Sequence, residues 1–409
     1  MQKSFTKVLS IILCASFLLT ACKKEEKIEY VIPSRDALNE ALSQRTESGK
    51  SVNNTSIMEK IGLTELSWNE DVPTSNGTIS IKASVTVPDD ANMYTMIVKE
   101  HYPNNDDKKR IVSALFDEGT VIADVEDYSI NHYTGKRDGI DYSLDFYVNQ
   151  DTNRCVWYFK AMNSSDLHAG AQNLVVRDAE KIVSGDNKCK SSEEEIKQRA
   201  EKLTYDIGFS YMKANFAYPL EFVTGGEGNS YNVDYDGYAV VLTRGQGKTI
   251  TDGFYYMYYD ESGEKVSYDP ESKNKPYEKE RLRIELNDKG IYSISGYGWM
   301  EEAGAPHVSG LISYSEVQDS FRNIIKEELK DNKVEFEQLY LTYSRIPDAE
   351  VDNKYHYIPS WCLTRNWTNE EWGIERECIF ISAIDGMRIY PVTNGDVDFF
   401  NIDWHDDEN

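Results

Sequence analysis

One glycine-rich stretch, Gly245-Gln-Gly247-Lys248-Thr249, places a lysine and a hydroxyl beside glycines, as loops that bind phosphate do. In those loops the backbone N–H groups and the lysine hold the phosphates of a nucleotide. The complete motif also needs a glycine five positions before Gly247, and Leu242 occupies that position. The sequence therefore disfavours a nucleotide site here.

A second stretch has the oxygen-bearing side chains of a calcium loop. Asn232, Asp234 and Asp236 alternate along it, and Gly237 takes the sixth position. The twelfth position, where calcium loops hold a glutamate that binds the ion through both oxygens, is Thr243. We therefore expect a polar segment before a strand rather than a metal site.

Other catalytic patterns are incomplete. Ser262 and Lys265 have the spacing of the serine and lysine in penicillin-recognising enzymes, but the partner motifs of those enzymes are missing. GxSxG is absent, and no histidine takes part in an HExxH or HxH pattern. The histidines are scattered over the chain at His101, His132, His168, His307, His356 and His405. We predict no catalytic residue, no metal site and no cofactor.

The N-terminus has the features of a bacterial lipoprotein signal. Lys3 and Lys7 precede an apolar run over 8–19, and small residues lead from it to Cys22. The run is shorter than the roughly 20 apolar residues that a transmembrane helix needs. We predict that residues 1–21 are a signal peptide and that Cys22 carries lipid on its sulfur. An ordinary signal peptide followed by an incidental cysteine is the alternative.

The predicted anchor places the chain on the extracytoplasmic face of the cell membrane. A diacylglyceryl cysteine supplies two acyl chains, and stable anchoring generally needs two membrane signals. Removal of residues 1–21 takes away two lysines and no acid, so the formal net charge changes from −26 to −28. A chain this acidic is repelled by anionic lipid and by nucleic acid. The lipid bilayer and a membrane or secreted protein are therefore the expected partners, and nucleic acid is excluded.

Two of the six cysteines belong to the signal peptide and the lipidation site, so four remain in the mature chain. Export permits disulfides, and pairing of nearest neighbours would join Cys155 to Cys189 and Cys362 to Cys378. Three connectivities exist in total, and reduced thiols are a further alternative. We take Cys362–Cys378 as the candidate disulfide. Zinc binding through cysteine is disfavoured because no CxxC spacing occurs.

Tyrosine is frequent, at 28 residues, and the tyrosines are clustered at 255–259 and 355–357, where packing on a sheet is favoured over a binding surface. Tyrosines on one face of a strand can stack on sugar rings or grip a peptide, and they also pack against neighbours on adjacent strands. The candidate ligand-facing aromatic residues are Tyr255, Tyr256, Tyr258, Tyr259 and Trp361.

Alternating apolar residues predict strands over much of the chain. The patterns at 79–87, 142–148 and 155–159 indicate a sheet-rich N-terminal domain over 64–188. A polar tether over 22–63 would connect this domain to the lipid anchor.

Two helices have well-marked starts. Ser192 with Glu195, and Ser315 with Gln318, have capping-box spacing, and apolar residues follow each pair at helical intervals. Near the end of the chain, the dipeptide Asp385-Gly386 predicts a tight turn.

A helix followed by several strands occurs twice, over 189–312 and over 313–409, where an acidic tail ends the chain. We therefore predict an α+β fold whose antiparallel sheets are each covered by a helix.

Several of these segments resemble PepSY-like modules. Residues 194–209 are similar to the opening helix of such a module, 238–244 to the next strand, and 282–291 to the closing hairpin. Pro-x-Trp at 359–361 and Ala-x-Asp-Gly at 383–386 resemble the terminal hairpin of a second copy. The chain thus resembles uncharacterised Gram-positive lipoproteins with tandem PepSY-like modules, which also occur in accessory regulators of cell-wall signalling kinases and in spore-germination proteins. The resemblance covers about half of the chain and implies binding or inhibition without a catalytic residue.

These features predict a membrane-anchored, non-catalytic protein that binds or regulates a protein, a peptide or a cell-wall component. A glycan-binding accessory lipoprotein with exposed tyrosines and tryptophans is the alternative, and an enzyme with an unfamiliar active site is a third hypothesis. A glycan binder should present coplanar exposed aromatic rings, and an enzyme should have a deep pocket with converging polar groups. A protein-binding regulator should have an exposed apolar patch.

Overall fold

The computed structural model describes most of the chain between residues 55 and 389. The described residues are 55–75, 77–123, 130–149, 154–163, 167, 171–172, 181–225, 230–251, 256–259, 265–266, 280–328, 335–348, 351, 353–369 and 373–389. The predicted signal peptide, Cys22, Tyr255 and Ser262 lie outside these residues.

Strands dominate the described part of the chain, which also contains four helices. The helices are α1 (Ile57–Ile61), α2 (Asn105–Leu115), α3 (Glu193–Asp206) and α4 (Tyr314–Glu328). The strands are β1 (Ser67–Thr74), β2 (Gly77–Thr86), β3 (Tyr94–Glu100), β4 (Ile122–Ala123), β5 (Ile130–Arg137), β6 (Ile140–Asn149), β7 (Arg154–Ala161), β8 (Ala171–Gln172), β9 (Lys181–Asn187), β10 (Met212–Gly225), β11 (Ser230–Gln246), β12 (Thr249–Ile250), β13 (Tyr256–Tyr259), β14 (Lys265–Val266), β15 (Arg281–Leu286), β16 (Ile291–Tyr297), β17 (Met300–Glu302), β18 (His307–Val308), β19 (Glu335–Pro347), β20 (Lys354–Asn369), β21 (Gly373–Ser382) and β22 (Arg388–Ile389). None of the described helices is both long enough and apolar enough to cross a bilayer.

The strands form two mixed sheets. The first sheet has the order β1-β2-β19-β20-β21-β13-β14, with β3 beside β20, β17 and β18 beside β3, and β22 beside β21. The second has the order β4-β5-β6-β7-β16-β15-β11-β10-β8, with β9 and β12 beside β11. The pairs β2–β19, β13–β21 and β9–β11 are parallel. Most strand pairs are antiparallel, as predicted, but the sheets are mixed, because parallel partners are joined by long connections that local alternation does not reveal.

Each sheet is covered by helices, as predicted. In the first core, apolar side chains of α1 and α4, such as Ile57 and Phe321, pack on the strand residues Trp68 and Leu339. The second core contains α2 and α3, and its buried residues include Ile111, Ile196, Trp157 and Ile284. Burying these apolar surfaces provides the main free energy that holds each helix on its sheet.

The chain passes between the two sheets several times. Within the predicted domain 64–188, β1 to β3 belong to the first sheet, whereas β5 to β7 belong to the second. Within 189–312, β10, β11, β15 and β16 belong to the second sheet, but β17 and β18 pair with β3 of the first. Residues 57–63 of the predicted tether form α1 and its C-cap and contribute to the first core.

The two predicted helix starts have different outcomes. Ser192 and Glu195 form a complete capping box at α3, as the sequence indicated. At α4 the reciprocal contacts belong to Ser313 and Glu316: Glu316 accepts from the Ser313 N–H at 2.7 Å, and its own N–H donates to Ser313 Oγ at 3.4 Å. The cap is therefore Ser313, two residues before the predicted cap at Ser315, and the helix begins at Tyr314.

A turn is present where Asp385-Gly386 predicted one, but it contains the four residues 383–386 rather than the dipeptide alone. It connects β21 to β22, and the Ser382 N–H donates to the Met387 carbonyl at 2.8 Å. Gly386 has φ +74°, a left-handed conformation that glycine adopts at the least cost.

Candidate functional site

An exposed patch lies on the face of the second sheet that points away from its helices. Ile122 is paired with Thr134, Thr134 with Ser143, and Ser143 with Lys160, so one row of side chains on β4 to β7 shares this face. Tyr147 lies four residues after Ser143 on β6, and Tyr158 lies two residues before Lys160 on β7. Because side chains of a strand alternate between its two faces, both tyrosines share this face.

Met162 follows Lys160 by two residues and continues the same pairing, because its N–H donates to the Asp141 carbonyl at 2.9 Å. We call Ile122, Tyr147, Tyr158 and Met162 the outer patch.

Three side chains of the outer patch are large, apolar and exposed to solvent. Ile122 is 66% exposed, Met162 62% and Tyr147 42%, which places three of the large hydrophobic residues exposed in the described chain on one face. Alternate residues of the same strands, such as Phe146 and Trp157, point into the second core and are fully buried. Tyr147 pairs with Val156, six residues before Met162, so these two exposed side chains share the face but lie roughly 20 Å apart along it.

The aromatic rings at this face meet edge to face. Tyr147 and Tyr158 have centroids 5.8 Å apart and planes inclined at 69°. Tyr158 and the buried Tyr297 have centroids 6.1 Å apart and planes inclined at 82°, and the guanidinium of Arg281 lies 5.0 Å from the Tyr297 ring. Burial raises the pKa values of Tyr147 and Tyr297, so both hydroxyls stay protonated at neutral pH. These rings form a faceted surface rather than a flat platform for sugars.

Polar groups lie within and beside the outer patch. His132 Nδ1 is 2.5 Å from Asp145 Oδ1, and the two residues are direct partners across β5 and β6. Lys136 Nζ lies 3.6 Å from Asp141 Oδ1 on the same face, and Lys160 is exposed. The patch therefore presents an apolar surface interrupted by charged groups of both signs.

Among the predicted ligand-facing aromatic residues, Trp361 is the one whose side chain lies in the part of the chain that the structure describes. Tyr255 lies outside the described residues. Tyr256, Tyr258 and Tyr259 belong to β13, whose backbone pairs with β14 and with β21. Trp361 is only 1% exposed and packs in the first core, with its ring 6.0 Å from that of Tyr314. The prediction that Trp361 faces a ligand was therefore wrong, because β20 directs it toward α4.

The candidate disulfide partners are brought into the same cluster. Cys362 on β20 is opposite Phe380, and Cys378 on β21 is opposite Thr364, so the two cysteines are diagonal neighbours on adjacent strands. Both are buried in a small cluster with Ile358 and Phe380. The Cys362–Cys378 disulfide stays a prediction.

The glycine-rich stretch forms the turn between β11 and β12, and a carboxylate of the same chain binds it. Asp90 Oδ2 accepts from the Lys248 N–H and from Thr249 Oγ1, each at 2.9 Å. Asp89 Oδ2 lies 2.6 Å from Lys248 Nζ. Asp89 and Asp90 follow β2 of the first sheet, so the anion-binding groups of the turn tie the two sheets together.

The stretch that resembles a calcium loop is part of a strand. Residues 232–237 lie within β11, and Asp234 Oδ2 is 2.7 Å from Lys188 Nζ. In the part of the chain that the structure describes, no group of three or more His, Cys, Asp or Glu residues could hold a metal ion.

A shallow cleft occurs where the chain passes between the sheets. It is lined by Glu100, His101, Tyr102, Cys155, Gly298, Trp299 and Met300. His101 Nε2 lies 2.7 Å from Asp107 Oδ2, and Nδ1 lies 3.0 Å from Glu301 Oε2. Its ring also contacts Trp299, with centroids 4.7 Å apart. The cleft therefore surrounds a histidine held between two carboxylates.

The carboxylates beside His101 favour their charged forms. Burial would raise the pKa of Asp107, but hydrogen bonds from His101 and the Asn104 N–H lower it overall. The pKa of Glu301 is lowered by Lys99 first and, against the effect of burial, by His101.

Sequence reasoning missed the outer patch and the His101 cluster as sites. The alternating patterns at 142–148 and 155–159 predicted the strands that carry Tyr147 and Tyr158. Nothing in the sequence joined Ile122 to them, because the common face depends on how β4 pairs with β5. His101 and Glu301 are likewise brought together only by the pairing of β3 with β17.

Comparisons with known proteins show distant structural similarity. An uncharacterised protein from Eubacterium rectale ATCC 33656 has a TM-score of 0.39 and 13% sequence identity, covering 83% of this chain and 99% of its own. YycH from Bacillus subtilis has a TM-score of 0.30 and 10% identity, covering 74% of this chain and 55% of its own. No protein-family model and no curated protein matches the sequence.

Proposed function

We propose that this chain is a lipid-anchored extracytoplasmic protein that binds and regulates a protein partner through the outer patch. Cys22 at the end of a signal-peptide pattern supports the anchor. The observation that carries the binding proposal is the exposure of Ile122, Tyr147 and Met162 on one uncovered face. The tandem PepSY-like arrangement is part of the same proposal, because each sheet bears a helix.

A protein partner fits the outer patch better than a glycan. Sugars bind to aromatic rings that offer flat faces, whereas Tyr147 and Tyr158 are inclined at 69°. Aromatic and methionine side chains are also enriched at the centres of protein interfaces. Glycan binding is therefore an outcome that the experiments below can distinguish.

The charge of the chain indicates which kind of protein would bind. Two copies of a chain with a net charge of −26 repel each other, which disfavours self-association through this face. The acidic groups beside the outer patch, Asp138 and Asp141, are paired with Arg137 and Lys136, so the local charges are of both signs. The partner should therefore present an apolar centre, and the net charge of the whole chain favours a basic protein.

Lipidation is tested by metabolic labelling with a fatty acid in the native host. The wild-type chain should be labelled and should sediment with membranes, and Cys22→Ala should abolish both properties. An unlabelled wild-type chain, or a Cys22→Ala chain that remains equally membrane-bound, would contradict the anchor.

Binding is tested by placing a photo-crosslinking amino acid at Tyr147 in the full chain. Tyr205, which is 70% exposed on α3, is the matched control position. We expect a discrete adduct with a basic protein from position 147 but not from 205, and loss of that adduct in a chain carrying Ile122→Ser and Met162→Ser. Equal adducts from both positions, or retention of wall glycan that depends on Tyr147, would refute a protein-binding patch.

A further inference from the structure

Lys160 lies on the face of the second sheet that carries the outer patch, between the exposed apolar residues of that patch. It is two residues after Tyr158 and two residues before Met162, so the three side chains point to the same side of the sheet. Tyr147 and Met162 are separated by roughly 20 Å along this face, and Lys160 falls within that interval. A partner that covers both apolar ends must therefore cover Lys160 as well.

The side chain of Lys160 is exposed, and its ammonium forms no ion pair with any residue that the structure describes. Carboxylates of the same face on β6 and β15 already have basic partners, in the pairs Asp145–His132 (2.5 Å), Asp141–Lys136 (3.6 Å) and Glu285–Arg283 (2.5 Å). Lys160 therefore presents a positive charge that no carboxylate of the described chain has taken up.

Hydroxyl side chains lie beside Lys160 in the same row across the sheet. Ser143 of β6 is its partner on one side, Ser293 of β16 is its partner on the other, and Thr134 of β5 lies opposite Ser143. Ser293 Oγ donates to Glu285 Oε2 at 2.7 Å. Hydroxyls can donate as well as accept hydrogen bonds, so this row suits a polar group of the partner rather than an apolar one.

We infer that Lys160 binds a carboxylate of the protein partner, and this inference rests on the proposed function. Covering Lys160 removes water from its ammonium, and a charge that is buried without a partner is strongly unfavourable. An acidic side chain opposite Lys160 supplies the missing charge, and Ser143 can add a hydrogen bond. The partner would thus carry one aspartate or glutamate within its otherwise apolar contact surface.

The net charge of the chain and the local charge at Lys160 predict opposite effects of the same substitution. A chain with a net charge of −26 attracts basic proteins, so one more negative charge should strengthen binding if only the net charge mattered. A negative charge at position 160 would instead face the carboxylate of the partner and weaken binding. The direction of the change in Lys160→Glu therefore separates the two effects.

The photo-crosslinking amino acid at position 147 of the full chain provides the first measurement. We expect Lys160→Glu to lower the yield of the protein adduct by about tenfold or more, as for the loss of a buried charge pair. Lys202→Glu is the matched control, because Lys202 is 76% exposed on α3 and the same charge is added on the opposite side of the sheet. This control should keep the wild-type yield. Urea denaturation checks that both variants are folded.

A carbodiimide crosslink tests the contact itself. The reagent activates a carboxylate, and a lysine amine in contact with it then forms an amide while the reagent leaves as a urea. We expect mass spectrometry to find Lys160 joined to an aspartate or glutamate of the same protein that is captured from position 147. Lys160→Arg keeps the positive charge but does not form the amide, so it should keep the adduct and lose the amide.

An adduct whose yield is unchanged or higher in Lys160→Glu would overturn the inference. So would an amide that joins Lys160 only to Asp141 or Asp145 of its own chain, because the ammonium would then already have its carboxylate. The absence of any adduct from position 147 in the otherwise unchanged chain would refute the proposed function itself. The two failures are therefore distinguishable.

Discussion

Arg244 and Glu280 form a buried two-pronged ion pair at the boundary between the sheets. Arg244 Nε lies 2.6 Å from Glu280 Oε2 and Nη2 lies 2.8 Å from Oε1, and the side chains are 2% and 0% exposed. Burial alone would lower the pKa of Arg244, but Glu280 raises it overall, so the guanidinium stays charged.

The pair also binds the backbone of the other sheet. The Met300 N–H donates to Glu280 at 3.1 Å, and the Met300 carbonyl accepts from Arg244 at 2.9 Å. Arg244 lies on β11 of the second sheet and Glu280 immediately precedes β15, whereas Met300 is the first residue of β17 in the first sheet. Both charges of the pair therefore contact a strand of the other sheet. The tyrosine rings nearest the guanidinium are Tyr211, at 3.8 Å, and Tyr357, at 5.9 Å.

Removal of one member of this pair should strongly destabilise the fold. We expect Arg244→Met or Glu280→Leu to lower the free energy of unfolding by about 3–5 kcal/mol, because each leaves a buried charge without its partner. The combined variant should lose clearly less than the sum of the two single losses, since no unpaired charge then remains. Urea denaturation of the four proteins measures this coupling. Losses that add within about 0.5 kcal/mol would show that the two charges do not act as a pair.

The contact of Asp90 with the glycine-rich turn should contribute to stability. Asp90→Ala removes the acceptor of the Lys248 N–H and of Thr249 Oγ1, and we expect a loss of about 1–3 kcal/mol in the free energy of unfolding. The neighbouring Asp89→Ala is the control. It removes only an exposed ion pair with Lys248, so the free energy of unfolding, measured by urea denaturation, should stay nearly unchanged. Equal effects of the two substitutions would show that the turn does not depend on Asp90.

Acid should destabilise the fold partly through Asp288. Hydrogen bonds from the hydroxyl and N–H of Ser191 and from the Lys190 N–H lower its pKa to about 2. A lowered pKa stabilises the folded state above the unfolded value of about 3.9, and this stabilisation is lost as the pH falls from about 4 toward 2. We therefore expect Asp288→Asn to reduce the melting temperature at pH 6 more than at pH 2.5. The exposed Asp138→Asn serves as the control, and an equal reduction at both pH values would contradict the assignment.

The start of α4 can be located by two serine substitutions. Ser313→Ala removes the hydroxyl that accepts from the Glu316 N–H, and we expect a loss of about 1 kcal/mol in the free energy of unfolding. Ser315→Ala, at the position that the sequence predicted as the cap, should have a smaller effect. Thermal unfolding of the two variants decides between the positions, and a larger effect at Ser315 would support the original prediction.

Much of the local structure could be predicted from the sequence. The capping box at Ser192 and the turn at Gly386 depend on hydrogen bonds between residues only a few positions apart. The strands that carry Tyr147 and Tyr158 are visible from alternation, because successive side chains of a strand point to opposite faces. The helix on each sheet follows from the need to bury an apolar stripe.

The cap of α4 shows where even local reasoning is limited. Ser313 and Ser315 both have an acid or amide side chain three positions later, so spacing alone leaves two candidates. The chain selects Ser313 because the helix includes Tyr314, which packs against Trp361 in the first core. Tertiary packing thus chose between two starts of similar local quality.

By itself, the sequence determined the elements whose hydrogen bonds close within a few residues, together with the acidic charge and the signal-peptide pattern. Only the tertiary structure decided that Thr249 meets Asp90, 159 positions away, and that Asp107 and Glu301 hold His101 from two sides. It also decided that Trp361 is buried and that Ile122 joins Tyr147 on an exposed face. The physical reason is that these contacts depend on how strands distant in the chain pair and align, and each residue's own neighbours in sequence are compatible with many such pairings.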